Sequence, residues 1–193
     1  MSNVNNEDRR TRKTKKALRE ALIALLQKKN IQNVTVKELT NEADIHRSTF
    51  YANFKDVYDL YEHMEVTMTQ EICAIVLTDY TFKPAAFYFK LLDYINSNRQ
   101  LSRLFFGGNI NASLFERLTE LFKNSCVESW CKECNVTSVS VEMDYYVQFC
   151  LSGVLGAIGL WVSKDFDSPV EKLVSLLADI ESGVKKVFES KFS

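Results

Sequence analysis

The stretch Thr35–Lys55, TVKELTNEADIHRSTFYANFK, constrains this chain more than any other. Thr35 with Glu38 three residues later is a capping-box start: hydroxyl and carboxylate each take a backbone N–H that the first turn of a helix leaves unpaired. Val36, Leu39 and Ala43 follow at helical spacing, Asp44 sits at a break, and Ile45 plugs the turn after it. Aspartate tolerates the left-handed conformation that such a turn requires, though less readily than glycine. In the next segment Phe50 and Phe54, four apart, share one face and anchor it in a core. The other face carries His46, Arg47, Ser48, Thr49 and Tyr51. Two short helices joined by a tight turn, the second apolar on one side and rich in donors on the other, suit a DNA groove. There the hydroxyls and basic groups reach phosphate oxygens and base edges.

Charge points the same way. Residues 1–55 hold twelve Lys/Arg against six Asp/Glu, a net of +6; the remainder holds twelve against nineteen, a net of −7, which gives the chain's −1. A basic head on an acidic body fits a nucleic-acid-binding domain over residues 1–55 joined to a domain with another task over 56–193. The densest basic run is Arg9, Arg10, Arg12, Lys13, Lys15, Lys16 and Arg19. It reads either as the solvated face of a first helix or as a phosphate-contacting arm, and its place ahead of the two short helices favours the arm.

The whole chain reads as all-α. Two prolines and six glycines in 193 residues suit helices, and no strand alternation or internal repeat stands out. About nine helices are expected. The first covers roughly residues 8–29, with Leu18, Ala21, Leu22, Leu25 and Leu26 on one face, and the two short helices follow. Asp56 caps a long fourth helix to about residue 77, striped by Val57, Leu60, Tyr61, Met64, Met68, Ile72 and Ile75. A fifth opens at Lys83-Pro84, and a short sixth stops at Gly107-Gly108-Asn109. A seventh runs from about Asn111 to Glu133, and an eighth over about 139–164. Ser168-Pro169-Val170-Glu171 opens the ninth as a capping box with proline in the first turn.

The eighth helix also needs weighing as a membrane span, because Tyr145–Ser163 carries no formal charge. Gln148, Ser152 and the glycines at 153, 156 and 159 dilute it, and buried helices are apolar all round too, so no membrane is expected. The ninth carries Leu173, Leu176, Leu177, Ile180, Val184, Val187 and Phe188 as a stripe. Two such helices meeting their symmetry mates make a four-helix homodimer interface. The polar, charged N-terminus and an odd five cysteines point to free thiols in a cytoplasmic protein.

Residues 35–60 resemble the helix-turn-helix of the TetR-type transcriptional regulators, whose pattern is roughly T-V-x-x-[IL]-A-x-x-A-G-[VI]-S-x-x-T-[FL]-Y-x-[HY]-F-x-[DS]-K-x-x-L. The chain keeps Thr35, Val36, Leu39, Ala43, Ile45, Thr49, Phe50, Tyr51, Phe54, Asp56 and Leu60. It departs at Asp44, usually Gly, at His46, usually Ser, and at Asn53, usually His or Tyr. The stretch GAIGLWVSKDFDSPVEKLVSLLADI is similar to the C-terminal region of the subgroup that includes the dihydroxyacetone kinase operon activator. The resemblance implies a three-helix DNA-binding head and a helical-bundle body that dimerises through its last two helices. It implies a near-palindromic double-stranded operator, repression, and release by a small ligand in the body; control by a partner protein is the alternative. Arg47 is expected to read a base edge with His46 and Ser48 beside it, while Thr35, Thr49, Tyr51 and Lys55 hold phosphates. The dipole of the fourth helix would assist at Lys55.

Little else in the sequence carries chemistry. There is no Gly-rich phosphate loop and no pairing of catalytic groups at sensible spacing, so neither an enzyme nor a cofactor is expected. Cys126, Cys131 and Cys134 have C-x4-C-x2-C spacing, but a zinc site wants a fourth ligand, and no metal is expected. Glu62 and Glu65 read as solvated charges. The body is dense in aromatics, which fill a core or wall an apolar pocket for a small apolar or aromatic effector. Phe105, Phe122, Tyr145 and Phe149 are the candidates for such a pocket.

Overall fold

A computed structural model describes residues 2–79, 84–107, 114–124 and 140–192. Every regular element among them is helical: α1 (Ser2–Leu26), a 3-10 turn (Ile31–Asn33), α2 (Val36–Glu42), α3 (Arg47–Tyr51), α4 (Val57–Asp79), α5 (Pro84–Ser97), α6 (Arg99–Phe106), α7 (residues 114–124), α8 (Val141–Ser163) and α9 (Val170–Phe192). The chain forms two compact units, Met1–Met68 and Thr69–Ser193, and the division falls inside α4. Gly108, Asn109, the outer ends of the expected seventh helix, Phe82, Trp130, and Cys126, Cys131 and Cys134 lie outside the described residues.

The first unit is built on large apolar side chains spaced for helices. Leu18 and Leu22 of α1, Leu39 of α2, Phe50 of α3 and Met68 of α4 are fully buried, and Phe54, Val57, Leu60 and Met64 are nearly so. The basic run from Arg9 to Arg19 lies on α1, which begins at Ser2 rather than at about residue 8. Its other end comes three residues earlier than expected, at Leu26, and the 3-10 turn carries the chain to buried Val34. The start of α4 matches expectation: Asp56 Oδ1 accepts from the Asp59 N–H at 2.9 Å. Glu65, by contrast, is not a solvated charge; it is 4% exposed, whereas Glu62 faces water.

In the second unit α5 packs on α6 and α9, and α8 on α6 and α9. The α5–α6 junction is a bend rather than a loop: Ser102 Oγ donates to the Ile95 carbonyl at 2.8 Å and Asn98 Nδ2 to that of Tyr94 at 2.9 Å. Gly107 ends α6 because there is no room for anything larger; a Cβ there would lie 2.3 Å from the Arg103 carbonyl oxygen. Ser140 caps α8 by accepting from the Met143 N–H at 3.3 Å. This helix is long and apolar enough to cross a membrane, but eight of its residues, from Met143 to Val162, are buried against this unit.

The apolar stripe expected on α9 divides in two. Leu173, Val174 and Leu177 are buried in the unit's core, whereas Leu176, Ile180 and Val187 are each at least 46% exposed. On α8 the exposed large apolar positions are Val141, Tyr145, Phe149 and Leu160, with Gly153 and Gly156 between the last two opening on empty space. A helix-spaced apolar face on each of the last two helices is thus left bare in the single chain.

The turn between α8 and α9 is held from several directions. Asp165 and Phe166 both adopt left-handed backbone angles, φ 59° and 60°, which are unfavourable for a bulky residue. Several contacts hold them there. Phe166 is 7% exposed and meets the Trp161 ring edge-on at 4.8 Å, with the Arg99 guanidinium 4.6 Å from its ring centre. Arg103 Nε donates to Asp165 Oδ1 at 3.0 Å, and Trp161 Nε1 to the Ser168 carbonyl at 2.8 Å. Pro169 therefore stands one position ahead of the expected first turn, and its carbonyl accepts from Lys172 at 3.1 Å. Phe166→Ala removes the ring that both guanidinium and indole rest on, and should cost about 3–5 kcal/mol in urea unfolding followed by tryptophan fluorescence. A loss below about 1 kcal/mol would mean that the turn holds its shape without that ring.

Candidate nucleic-acid interface

The two short helices are locked at both ends of α2. Thr35 Oγ1 accepts from the Glu38 N–H at 3.2 Å, and Glu38 Oε2 accepts from the Thr35 N–H at 3.0 Å and from its hydroxyl at 2.8 Å. Lys29 Nζ donates to Glu38 Oε1 at 2.7 Å. The Lys29 ammonium, then the Thr35 hydroxyl and N–H, hold the Glu38 carboxyl down to about 2. At the other end Asp44 takes φ 51°, the Ile45 N–H reaches the Thr40 carbonyl at 3.0 Å and the Asp44 N–H that of Asn41 at 3.3 Å. That pair of bonds is the Schellman closure, which here uses aspartate where glycine is commoner.

The turn delivers the chain to α3, only five residues long and without a side-chain cap at His46. Phe50 fixes it to the core, 6.1 Å from the Phe54 ring, whose far side meets His63 at 5.5 Å and Lys15 Nζ at 5.7 Å. With that side committed, the rest of α3 faces water. His46, Arg47 and Ser48 are exposed, Tyr51 is 60% exposed, and Thr49 is half-buried, its carbonyl accepting from Asn53 Nδ2 at 2.8 Å.

Thr35 and Lys55, also exposed, stand just before α2 and α4. Both donors of Thr35 are committed to Glu38, so its part in the geometry is to fix α2. At Lys55 the ammonium is exposed, but the N-terminus of α4 is already served by acid: Asp59 Oδ2 accepts from the Lys55 N–H at 2.8 Å beside the Asp56 cap. Two carboxylates there offset the helix dipole expected to favour a phosphate. Sequence reasoning found the capping box but not Lys29, nine residues away from Glu38, because the turn that brings them together has no simple periodicity.

The aromatic residues proposed for a pocket in the body do not converge. Phe105 is fully buried and Phe122 is 3% exposed, its ring 5.8 Å from that of Phe87, whereas Tyr145 and Phe149 are about 70% exposed. Phe149 does line a cavity of about 220 Å³ with Val154, Leu177 and Ile180. Cys150 lies beside it, and burial, with Glu181 adding to it, pushes that thiol up to about 11, far from a reactive thiolate at neutral pH.

A helix-turn-helix head with a donor-rich face, followed by an all-helical unit, defines a DNA-binding transcription factor architecture. The family model described as the transcriptional regulator C-terminal region of TetR type matches residues 83–183, more than half of the chain, and the protein belongs to this TetR family of transcriptional regulators. Among solved structures it is similar to a TetR transcriptional regulator from Streptococcus agalactiae, at 20% identity over 92% of this chain and 98% of that one, with a TM-score of 0.65. It is also similar to the dihydroxyacetone kinase operon activator DhaS, at 16% identity over 90% and 97%, TM-score 0.64. A third is the fatty acid degradation regulator FadR from Bacillus halodurans, at 14% identity over 86% and 93%, TM-score 0.62. At these identities the likeness is one of fold. No curated protein sequence matches the chain.

The lock on α2 gives a pH signature. Because the folded Glu38 pKa is depressed from 4.5 to about 2, its stabilisation is complete above 4.5 and is lost as the pH falls toward 2. The stability gap between the native chain and Glu38→Gln should be constant from pH 7 to 5 and close below 4. A gap that persists unchanged at pH 2 would contradict the depressed carboxyl. Thr35→Ala should cost about 0.5–2 kcal/mol at pH 7.

Proposed function

We propose that this regulator works as a homodimer in the cytoplasm and reads a near-palindromic double-stranded operator with α3 of each copy. The observation that carries the reading is the face of α3: Arg47, His46, Ser48 and Tyr51 face water on a helix whose opposite side is pinned by Phe50. Arg47 reads a base edge, most simply a guanine, with His46 and Ser48 beside it; Thr49, Tyr51 and Lys55 hold phosphates, and Thr35 sets the angle of α2. The bare apolar faces of α8 and α9 support dimerisation through those helices, since an exposed patch of that kind marks an interaction surface. The division of labour is regulatory, with no catalytic step assigned to any residue.

Over a promoter such a dimer represses, and a small apolar or aromatic effector in the body releases it. An effector acts only through a difference in affinity between the DNA-bound and free states. The apolar cavity lined by Phe149, Val154, Leu177 and Ile180 supports an apolar occupant. Control by a partner protein is the second reading, favoured by one observation: Phe105 and Phe122 are packed into the core rather than walling a space with Tyr145 and Phe149.

Arg47→Ala should relax sequence preference at one position per half-site, whereas Tyr51→Phe should weaken all sites alike, each by about 1–3 kcal/mol. Binding to operator and to random duplex at two salt concentrations separates the two effects. An Arg47→Ala protein with unchanged sequence preference would remove the base-reading role.

For assembly the informative positions are Ile180 and Gly156, which are exposed in the single chain, and not Leu177, which is 2% exposed and belongs to its own core. Ile180→Glu and Gly156→Leu should each sediment as folded monomers at micromolar concentration, with operator affinity reduced. Dimers that survive both substitutions would place the interface elsewhere.

A further inference from the structure

The head also holds a cleft apart from the exposed face of α3. It has a volume of about 420 Å³ and lies between facing stripes of α1 and α4. From α1 come Arg12, Lys13, Lys15, Lys16 and Arg19, five cations within two helical turns, about 10 Å of axis. From α4 come Leu60 and Met64 as an apolar floor, with His63 and Thr67 at helical spacing beside them. Among the described residues no carboxylate lines the cleft, and none of its walls comes from α2 or α3. Among the described residues, the one ion pair to these cations joins Lys16 to Glu20 at a loose 3.8 Å, on the exposed side of α1.

Like charges this close lie within about one Debye length, about 8 Å at physiological salt, so solvent ions screen their repulsion only in part. Lys15 and Arg19 are half-buried, which weakens the screening further. The field is felt at His63, whose pKa is lowered by burial on one side and by Lys15 and Arg19, against a smaller opposing pull from Asp59. A concave, cationic cleft with an apolar floor is poised for a multiply charged anion, since one negative charge offsets only a fraction of the five positive ones.

We infer that the α1–α4 cleft is a binding site for a small soluble polyanion carrying clustered phosphate oxyanions, separate from the surface that α3 offers to DNA. The shared chemistry has a second source, the DNA backbone. Shape favours the soluble one: backbone phosphates line an extended ridge and suit an open face, whereas this site is a cleft walled by two helices. Filling it would draw α1 and α4 together around the anion. The effect reaches α3 through His63 and Lys15, both of which rest on the Phe54 ring. The inference does not depend on α3 reading an operator, and either can fail alone.

The chain holds two histidines, His46 on the α3 face and His63 in the cleft, which makes the test internal. Imidazole resonances of the full chain, assigned with His63→Gln, are followed through titrations with inorganic tripolyphosphate, with sulfate, and with a mixed-sequence DNA duplex. Tripolyphosphate should shift His63 saturably, raise its pKa by about one unit, and leave His46 in place. Sulfate should be at least tenfold weaker. Lys13→Gln/Lys16→Gln, at exposed positions that leave the core intact, should weaken tripolyphosphate at least tenfold, and Lys15→Gln/Arg19→Gln more. If tripolyphosphate moves both histidines alike, moves neither, or binds the glutamine variants unchanged, the cleft holds an adventitious ion only and the inference is wrong. If His63 responds to duplex and not to tripolyphosphate, the cleft belongs to the DNA surface and the soluble-anion assignment is likewise overturned.

Discussion

The head of this protein depends on the burial of two rings, Phe50 and Phe54. A helix of five residues has almost no stability of its own, since nucleation is unfavourable and too few bonds follow to offset it. The α3 segment exists because Phe50 is fully buried and Phe54 nearly so, and these two rings set which side of the helix meets water. Everything proposed for DNA recognition follows from that orientation. The locks on α2 serve the same end. The Thr35–Glu38 box and the left-handed Asp44 fix where α2 ends, and so the angle at which the chain enters α3.

The body uses a different device for a similar purpose. Its last two helices are long and carry apolar side chains on more than one face, so packing within one copy leaves part of that surface uncovered. What orients α9 after α8 is the turn at Asp165 and Phe166, held in unfavourable backbone angles by Trp161, Arg99 and Arg103. A turn constrained from several directions is a hinge that does not swing, and it keeps the bare faces of α8 and α9 on a fixed common frame. The membrane-like composition of α8 has the same origin: a helix buried on one face in its own unit and left apolar on another has few places for charge.

Much of this was legible in the sequence, for identifiable reasons. Helix existence followed from spacing, and the capping pairs at Thr35 and Asp56 marked starts correctly because a cap is a local interaction between near neighbours. Asp44 was legible because few residues tolerate its conformation. Non-local facts were not. Lys29 on Glu38, Arg103 on Asp165 and the burial of Glu65 depend on how helices pack. By spacing alone Leu173, Leu176, Leu177 and Ile180 of α9 make one face; only packing separates Leu177 inside from Leu176 outside. The pocket aromatics failed to converge for a related reason, since aromatic density does not distinguish a filled core from a cavity wall.

Recognition of DNA by α3 of two copies can be measured by selecting duplexes from a random pool with the purified protein. A near-palindromic sequence should be enriched, its half-sites centred about 10 base pairs, or a multiple of one helical turn, apart. Recovery of an asymmetric single site, or of no preferred sequence at low and moderate salt alike, would contradict it.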